Sequence, residues 1–306
     1  MTTASTPPIT EGYAQLDGIK LHYAECGSGD PLVLLLHGFP EFWYSWRHQL
    51  PVIGTTYHAV APDLRGYNLS DKPPRVKDYS MELLVKDVVD LIRYFRKEQA
   101  IIIGHDWGAA IGWALAQTHP QMVLKLAALQ VPPTQAWQAN FTLRQLLSSW
   151  YMFFFQLPKI PEWWASRTDF AAVDKMYRES SFRVGSFSAE DIAQYKTALK
   201  QPGALTSCVN YYRANVFRSL LPRRRTQASN ARGMVHAPTL FIFGELDLAV
   251  RSSTVRGINR FVDGPYTEVR IPDSGHWVQN EAINEVNTAL IKFLDSDDRQ
   301  QGAQTA

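Results

Sequence analysis

The chain has 306 residues, 45% of them hydrophobic and 20% charged, with a net charge of +2. That length suits one large α/β domain, or a core domain carrying a substantial insertion. The near-balanced charge leaves no electrostatic footprint for nucleic acid, and the tightest basic run, Arg223-Arg224-Arg225 beside Pro222, reads as a solvated loop.

In chain order, residues 13–26 alternate apolar and polar through Tyr13, Leu16, Ile19, Leu21 and Tyr23. With a turn at Asp17-Gly18 this predicts an antiparallel hairpin at a sheet edge. Gly27-Ser28-Gly29-Asp30 is a loop that lacks the lysine and second glycine set of a phosphate cradle. Leu32–Leu36 is a continuous apolar strand running into His37-Gly38-Phe39-Pro40. Phe42, Trp43, Trp46 and Leu50 then fall at helical spacing, and residues 58–61 form another buried strand, ending in Pro62-Asp63-Leu64-Arg65-Gly66-Tyr67. Leu84, Val88, Leu91, Ile92 and Phe95 mark one face of an amphipathic helix. Next comes Ile101-Ile102-Ile103, a β-branched run, then Gly104-His105-Asp106-Trp107-Gly108 and a small-residue helix pattern through Ala109, Ala110 and Gly112. Residues 124–131 read as a further strand.

Strands alternating with helices imply right-handed βαβ units and a parallel sheet covered on both faces. The rhythm breaks from about residue 132 to 235, a helical and unusually aromatic stretch (Trp137, Trp150, Tyr151, Phe153, Phe154, Phe155) without a convincing strand. It resumes with strands at 239–243 and 267–271 and a helix over 281–294, followed by a polar tail. We therefore expect a core of residues 1–132 and 237–306, with 133–236 as a helical cap over the C-terminal strand ends. Cys26 and Cys208 lie far apart without metal spacing, HExxH is absent, and no metal or cofactor is expected. The N-terminus has neither a basic region nor an apolar core, and no apolar run reaches membrane-spanning length, so a cytoplasmic protein is expected.

The strand ends carry the chemistry. A strand turning sharply into a helix between Gly104 and Gly108 presents Asp106 at the helix N-terminus, where the hydrolase elbow usually has Ser. A carboxylate there is already ionised at neutral pH and needs no general base; taken alone, the same turn reads equally as a helix N-cap. Strand 239–243 runs into Gly244-Glu245-Leu246-Asp247, and strand 267–271 into Pro272-Asp273-Ser274-Gly275-His276. Asp106, Asp247 and His276 thus follow the order nucleophile, acid, histidine. Glu245 is the alternative partner of His276, but it follows the strand too closely to reach over the sheet edge. Two backbone donors are expected for an oxyanion, Phe39 after the first strand of the parallel set and Trp107 after the nucleophile. His37, Pro40, Trp150 and Phe154 are expected to line the substrate pocket, although His37, like His105, also suits a plain loop or packing role.

With these motifs in view, HGFPEFWYSWRHQLP, DLRGYNLSDKP, GHDWGAAIGW, GELD and GHWVQNE resemble the α/β-hydrolase-fold epoxide hydrolases, and the likeness runs from Leu32 to Glu281. It implies an α/β-hydrolase fold with a mostly parallel eight-stranded sheet flanked by helices and an inserted cap. Two cap stretches, Trp150 to Gln156 and Asn210 to Arg213, are similar to those that supply one tyrosine each above the nucleophile, which implies Tyr151 and Tyr212 as acids at an epoxide oxygen. The implied reaction takes a small hydrophobic epoxide and water to a 1,2-diol, with no cofactor, in a monomer or cap-mediated homodimer. The alternatives are a haloalkane or fluoroacetate dehalogenase using the same aspartate, or a non-catalytic ligand-binding relative. Haloalkane dehalogenases typically add Asn or a second Trp for the halide, and fluoroacetate dehalogenases place Arg after the nucleophile. Here Phe39 and Trp107 stand at those positions.

Overall fold

The computed structural model describes residues 7–220 and 233–296. The Arg223-Arg224-Arg225 run, the first six residues and the tail beyond Ser296 lie outside that range. Eight strands form one sheet: β1 (Thr10–Leu16), β2 (Ile19–Cys26), β3 (Leu32–Leu36), β4 (His58–Pro62), β5 (Ala100–His105), β6 (Val123–Leu129), β7 (Thr239–Gly244) and β8 (Tyr266–Ile271). Their spatial order is β1-β2-β4-β3-β5-β6-β7-β8. The hairpin β1–β2 is antiparallel and joins β4 antiparallel, while β4, β3, β5, β6, β7 and β8 run parallel.

The continuous apolar runs of β3, β5 and β7 follow from burial on both faces. Along β3, Leu32, Leu34 and Leu36 join a core with α2 (Met81–Tyr94) and α3 (Trp107–Thr118). Val33 and Leu35 point the other way, into a core with Trp46, α1 (Leu50–Ile53) and a C-terminal helix. Among the described residues, six helices lie between β6 and β7: α4 (Thr134–Ala139), α5 (Leu143–Ser148), α6 (Trp150–Phe154), α7 (Ile160–Ser180), α8 (Ala189–Lys200) and α9 (Ala204–Leu220). Helix α7 is broken at Arg167–Phe170, where Thr168, Asp169 and Phe170 are left-handed. After β8 come α10 (Val278–Glu281) and α11 (Ile283–Leu294).

Several boundaries differ from the sequence reading. The spacing of Phe42, Trp43, Trp46 and Leu50 belongs to a 3₁₀ turn, Trp43–Trp46, followed by the one-turn α1, with Pro51 fixing its first turn. Strand β6 ends at Leu129 because Gln130 turns left-handed, with φ of 68°. The helix expected over 281–294 starts earlier and is interrupted at Ala282, which adopts φ −117° and ψ 52°. Residues 233–236 are not part of the inserted helices: Val235 forms a parallel bridge with Val262 ahead of β7.

Candidate active site

Asp106 sits between β5 and α3 with φ of 50° and ψ of −115°, a backbone conformation that costs a non-glycine residue about 1–3 kcal/mol. Close packing on both sides enforces it. A Cβ on Gly108 would lie 2.0 Å from the Leu36 carbonyl oxygen, and one on Gly38 would lie 2.4 Å from Asp106 Cβ. The end of β3 and the start of α3 therefore touch backbone to backbone, and the loop after β3 reaches the carboxylate. Phe39 N–H donates to Asp106 Oδ1 at 2.9 Å. Trp107 is the first residue of α3, so its amide belongs to the free N–H set of the helix start.

His276 follows β8 and is 7% exposed. Its Nδ1 lies 2.8 Å from Asp247 Oδ2, and its Nε2 lies 3.7 Å from Asp106 Oδ2, a gap too long for a hydrogen bond. Asp247 Oδ1 accepts from Ala249 N–H at 2.7 Å and Val250 N–H at 2.9 Å, so the loop after β7 fixes the carboxylate that faces the imidazole. Burial lowers the proton affinity of His276, but the charges of Asp247 and Asp106 outweigh it and raise the pKa to about 9. Glu245, the alternative partner, points elsewhere and pairs with Arg270 at 2.8 Å.

Tyr212 on α9 and Tyr151 on α6 lie edge to face, with ring centroids 5.8 Å apart. Tyr212 also stands edge-on to Trp107 and to Phe39, each at 5.2 Å. Burial and the Asp106 charge push both phenols well above their ordinary pKa. The structure thus brings Asp106, His276, Asp247, Phe39, Trp107, Tyr151 and Tyr212 together.

The four expected pocket residues behave differently. His37 is wholly buried; its Nε2 accepts from Leu64 N–H at 3.0 Å and its Nδ1 lies 2.9 Å from the Gly38 carbonyl, so it ties the loop after β3 to the loop after β4. Burial pushes its pKa down, in keeping with a neutral ring. Pro40 is buried, with its carbonyl 3.5 Å from the Tyr177 hydroxyl. Trp150 is 59% exposed and rests against Phe154, which in turn meets Trp164 and Phe155. Phe155, the next residue along, is the one facing the site: its ring lies 4.9 Å from Tyr212 and 5.3 Å from Phe39.

Two supporting residues escaped the sequence reading. Gln130 donates to Asp247 Oδ2 at 2.9 Å and to the Gly275 carbonyl at 2.6 Å, and accepts from Gly244 N–H at 2.7 Å. A polar residue closing an apolar strand was its only signal. Glu41, next to the His37–Pro40 motif, is buried and lies 2.8 Å from His105 Nδ1, while His105 Nε2 donates to the His276 carbonyl at 2.8 Å. Burial opposes the charge on Glu41, but the charge and hydrogen bond of His105 outweigh it and hold its carboxyl below the ordinary range. Cys26 and Cys208 are buried free thiols. Among the described residues no group of three or more His, Cys, Asp or Glu side chains could hold a metal ion, and no helix is long and apolar enough to cross a membrane.

Comparison with known proteins agrees with the fold. Residues 31–282 match the alpha/beta hydrolase fold family. The chain is similar to the AB hydrolase superfamily protein YfhM of Bacillus subtilis, 37% identical over 286 residues, covering 92% of this chain and 96% of that protein. It is also similar to epoxide hydrolase 3 of Xenopus tropicalis, 38% identical over 296 residues, covering 94% of this chain and 78% of that protein. Among solved structures, the Bacillus megaterium epoxide hydrolase in complex with an inhibitor superposes with a TM-score of 0.82 at 30% identity, over 93% of this chain and all of that one. The chain belongs to the α/β-hydrolase-fold epoxide hydrolase family.

Proposed function

We propose that this protein opens hydrophobic epoxides to 1,2-diols through a covalent ester on Asp106. The names of its relatives support the substrate class. The observation that carries the reading is a divided carboxylate: Phe39 N–H holds Oδ1, while Oδ2 is left facing His276 across 3.7 Å. In the first half-reaction Oδ2 attacks an epoxide carbon from behind. The carbon–oxygen bond breaks, its electron pair goes to the ring oxygen, and Tyr151 or Tyr212 supplies the proton. Their raised pKa keeps both phenols protonated at neutral pH, as hydrogen-bond donors to that oxygen must be.

Esterification cancels the Asp106 charge, one of the charges that raise the pKa of His276. The imidazole then gives up its proton more readily and is available as a base. In the second half-reaction His276, oriented by Asp247, takes a proton from water and the resulting hydroxide attacks the ester carbonyl carbon. The oxyanion develops on Oδ1, where Phe39 N–H already points and where the Trp107 amide at the helix start adds a second donor. Collapse breaks the ester bond, the leaving oxygen takes the proton from His276, and the remaining water proton on the Asp106 carboxyl returns to the tyrosinate, which regenerates both the carboxylate and the phenol.

The inserted helices α4 to α9 act in this reading as a cap on the core that carries the sheet. Tyr151 and Tyr212, carried by the inserted helices and ringed by Phe39, Trp107 and Phe155, support it. Such aromatic walls exclude water and favour an apolar substrate.

The test is product analysis of the purified protein given an aryl epoxide and a matched haloalkane, with Asp106→Ala alongside. Diol from the epoxide, lost in the variant, is the expected result. Halide release without diol would identify a dehalogenase, and saturable binding without product would identify a non-catalytic relative; either overturns the proposal.

A further inference from the structure

The nucleophile, base and acid leave unexplained what fixes the backbone that carries His276. Glu281, at the end of α10, is 6% exposed, and every hydrogen bond its carboxylate makes comes from a backbone amide. Oε2 accepts from Gly275 N–H at 2.9 Å, and Oε1 accepts from Trp277 N–H at 3.1 Å. These are the two residues flanking His276. Oε2 accepts a third amide, Phe182 N–H at 2.9 Å, from the connection between α7 and α8. The same connection meets the histidine loop twice more: Trp277 Nε1 donates to Ser180 Oγ at 2.8 Å, and a Cβ on Gly275 would lie 2.6 Å from the Phe182 ring.

We propose that Glu281 is a positioning residue: its carboxylate clamps the backbone on both sides of His276 and, through Phe182, ties that backbone to the inserted helices. The inference rests on the two-step reading above, because the half-reaction it affects is the one that uses His276. The first half-reaction needs Asp106 and the tyrosines, none of which Glu281 touches. The second needs the imidazole within reach of a water beside the ester. A displacement of the histidine backbone by a fraction of an ångström slows hydrolysis and spares alkylation. A neutral amide at position 281 keeps the size of the side chain but presents an NH₂ to one or more of the amides that now donate, so the clamp opens on one side.

The experiment is a single turnover of an aryl epoxide, with alkylation and hydrolysis followed separately by rapid quench and intact-protein mass. In Glu281→Gln the ester accumulates, hydrolysis slows by about tenfold or more, and alkylation stays near the wild-type rate. Because only folded molecules become alkylated, the ratio of the two rates is insensitive to a partly unfolded preparation. Glu281→Asp, whose carboxylate is one methylene short, gives a smaller accumulation and carries the test if the glutamine variant does not fold. Arg183→Ala is the control: it removes ion pairs from the same connection to Asp273 and Glu285, at 2.8 and 2.7 Å, and a long hydrogen bond to the Glu281 backbone carbonyl at 3.4 Å, but none of the three amides that hold the carboxylate. It behaves as wild type. Equal loss of both half-reactions in the Glu281 variants, no loss, or the same phenotype in Arg183→Ala would overturn the clamp. His276→Gln separates the two failures: ester there but none in Glu281→Gln rejects the clamp alone, whereas no ester in His276→Gln rejects the two-step reading itself.

Discussion

At the scale of single residues, the site separates charge by oxygen and by tyrosine. In the proposed mechanism the carboxylate oxygen that Phe39 N–H holds becomes the ester carbonyl, and the other attacks. The two phenols share one task in that mechanism, so removing one leaves a partial donor while removing both removes the acid. In Tyr151→Phe/Tyr212→Phe the rate of ester formation is expected to fall by ~10²–10⁴-fold, with hydrolysis of any ester that forms little changed. Stopped-flow tryptophan fluorescence during a single turnover measures this, since Trp107 lies 5.2 Å from Tyr212 and senses the pocket directly. An unchanged alkylation rate would remove the tyrosines from the mechanism. The positions of Asp106, Asp247 and His276 stood out in the sequence because each follows a strand end and lies within three residues of a glycine. Phe155 did not. The run Trp150 to Phe155 contains no charged or strongly polar residue, so its helical phase carries no mark of which ring turns inward.

At the scale of elements, the sheet was legible wherever strands are buried on both faces, because β3, β5 and β7 then consist of uninterrupted apolar residues. Boundaries set by side chains from elsewhere were not. Strand β6 stops at Leu129 because Gln130 turns and spends its amide on the ends of β7 and the histidine loop, a tertiary demand invisible in local periodicity. Three connections converge on that one amide. In Gln130→Ala the Gly244 N–H and Gly275 carbonyl lose their partners and Asp247 loses a donor, which is expected to cost about 1–3 kcal/mol per orphaned buried group. Urea unfolding gives the loss directly, and a change below about 0.5 kcal/mol would show that water replaces the glutamine.

At the scale of the whole molecule, His276, the proposed base, also couples global stability to pH. Its pKa is raised in the fold, from an ordinary value of 6.5 to about 9, so proton binding favours the folded state. That contribution is complete below pH 6.5 and is lost as pH climbs through about 9. His276→Gln lacks it, so the difference in Tm from the wild type is expected to be widest below pH 6.5 and to close above about 9. A difference that stays constant across the range would place the raised pKa elsewhere. The inserted helices were legible as a break in the strand rhythm, but their relation to the site depends on long-range contacts such as that of Phe182 with Glu281. The floor beneath the site has a different consequence. Gly38 and Gly108 leave no volume between the β3 loop, the elbow and α3 for even one more carbon atom. Lineages that acquire new substrates, and laboratory libraries that imitate them, are therefore confined to one direction of change. Mutations in the floor disturb the Asp106 backbone itself, while rings of the roof other than Tyr151 and Tyr212, such as Phe155, can vary above an unchanged floor.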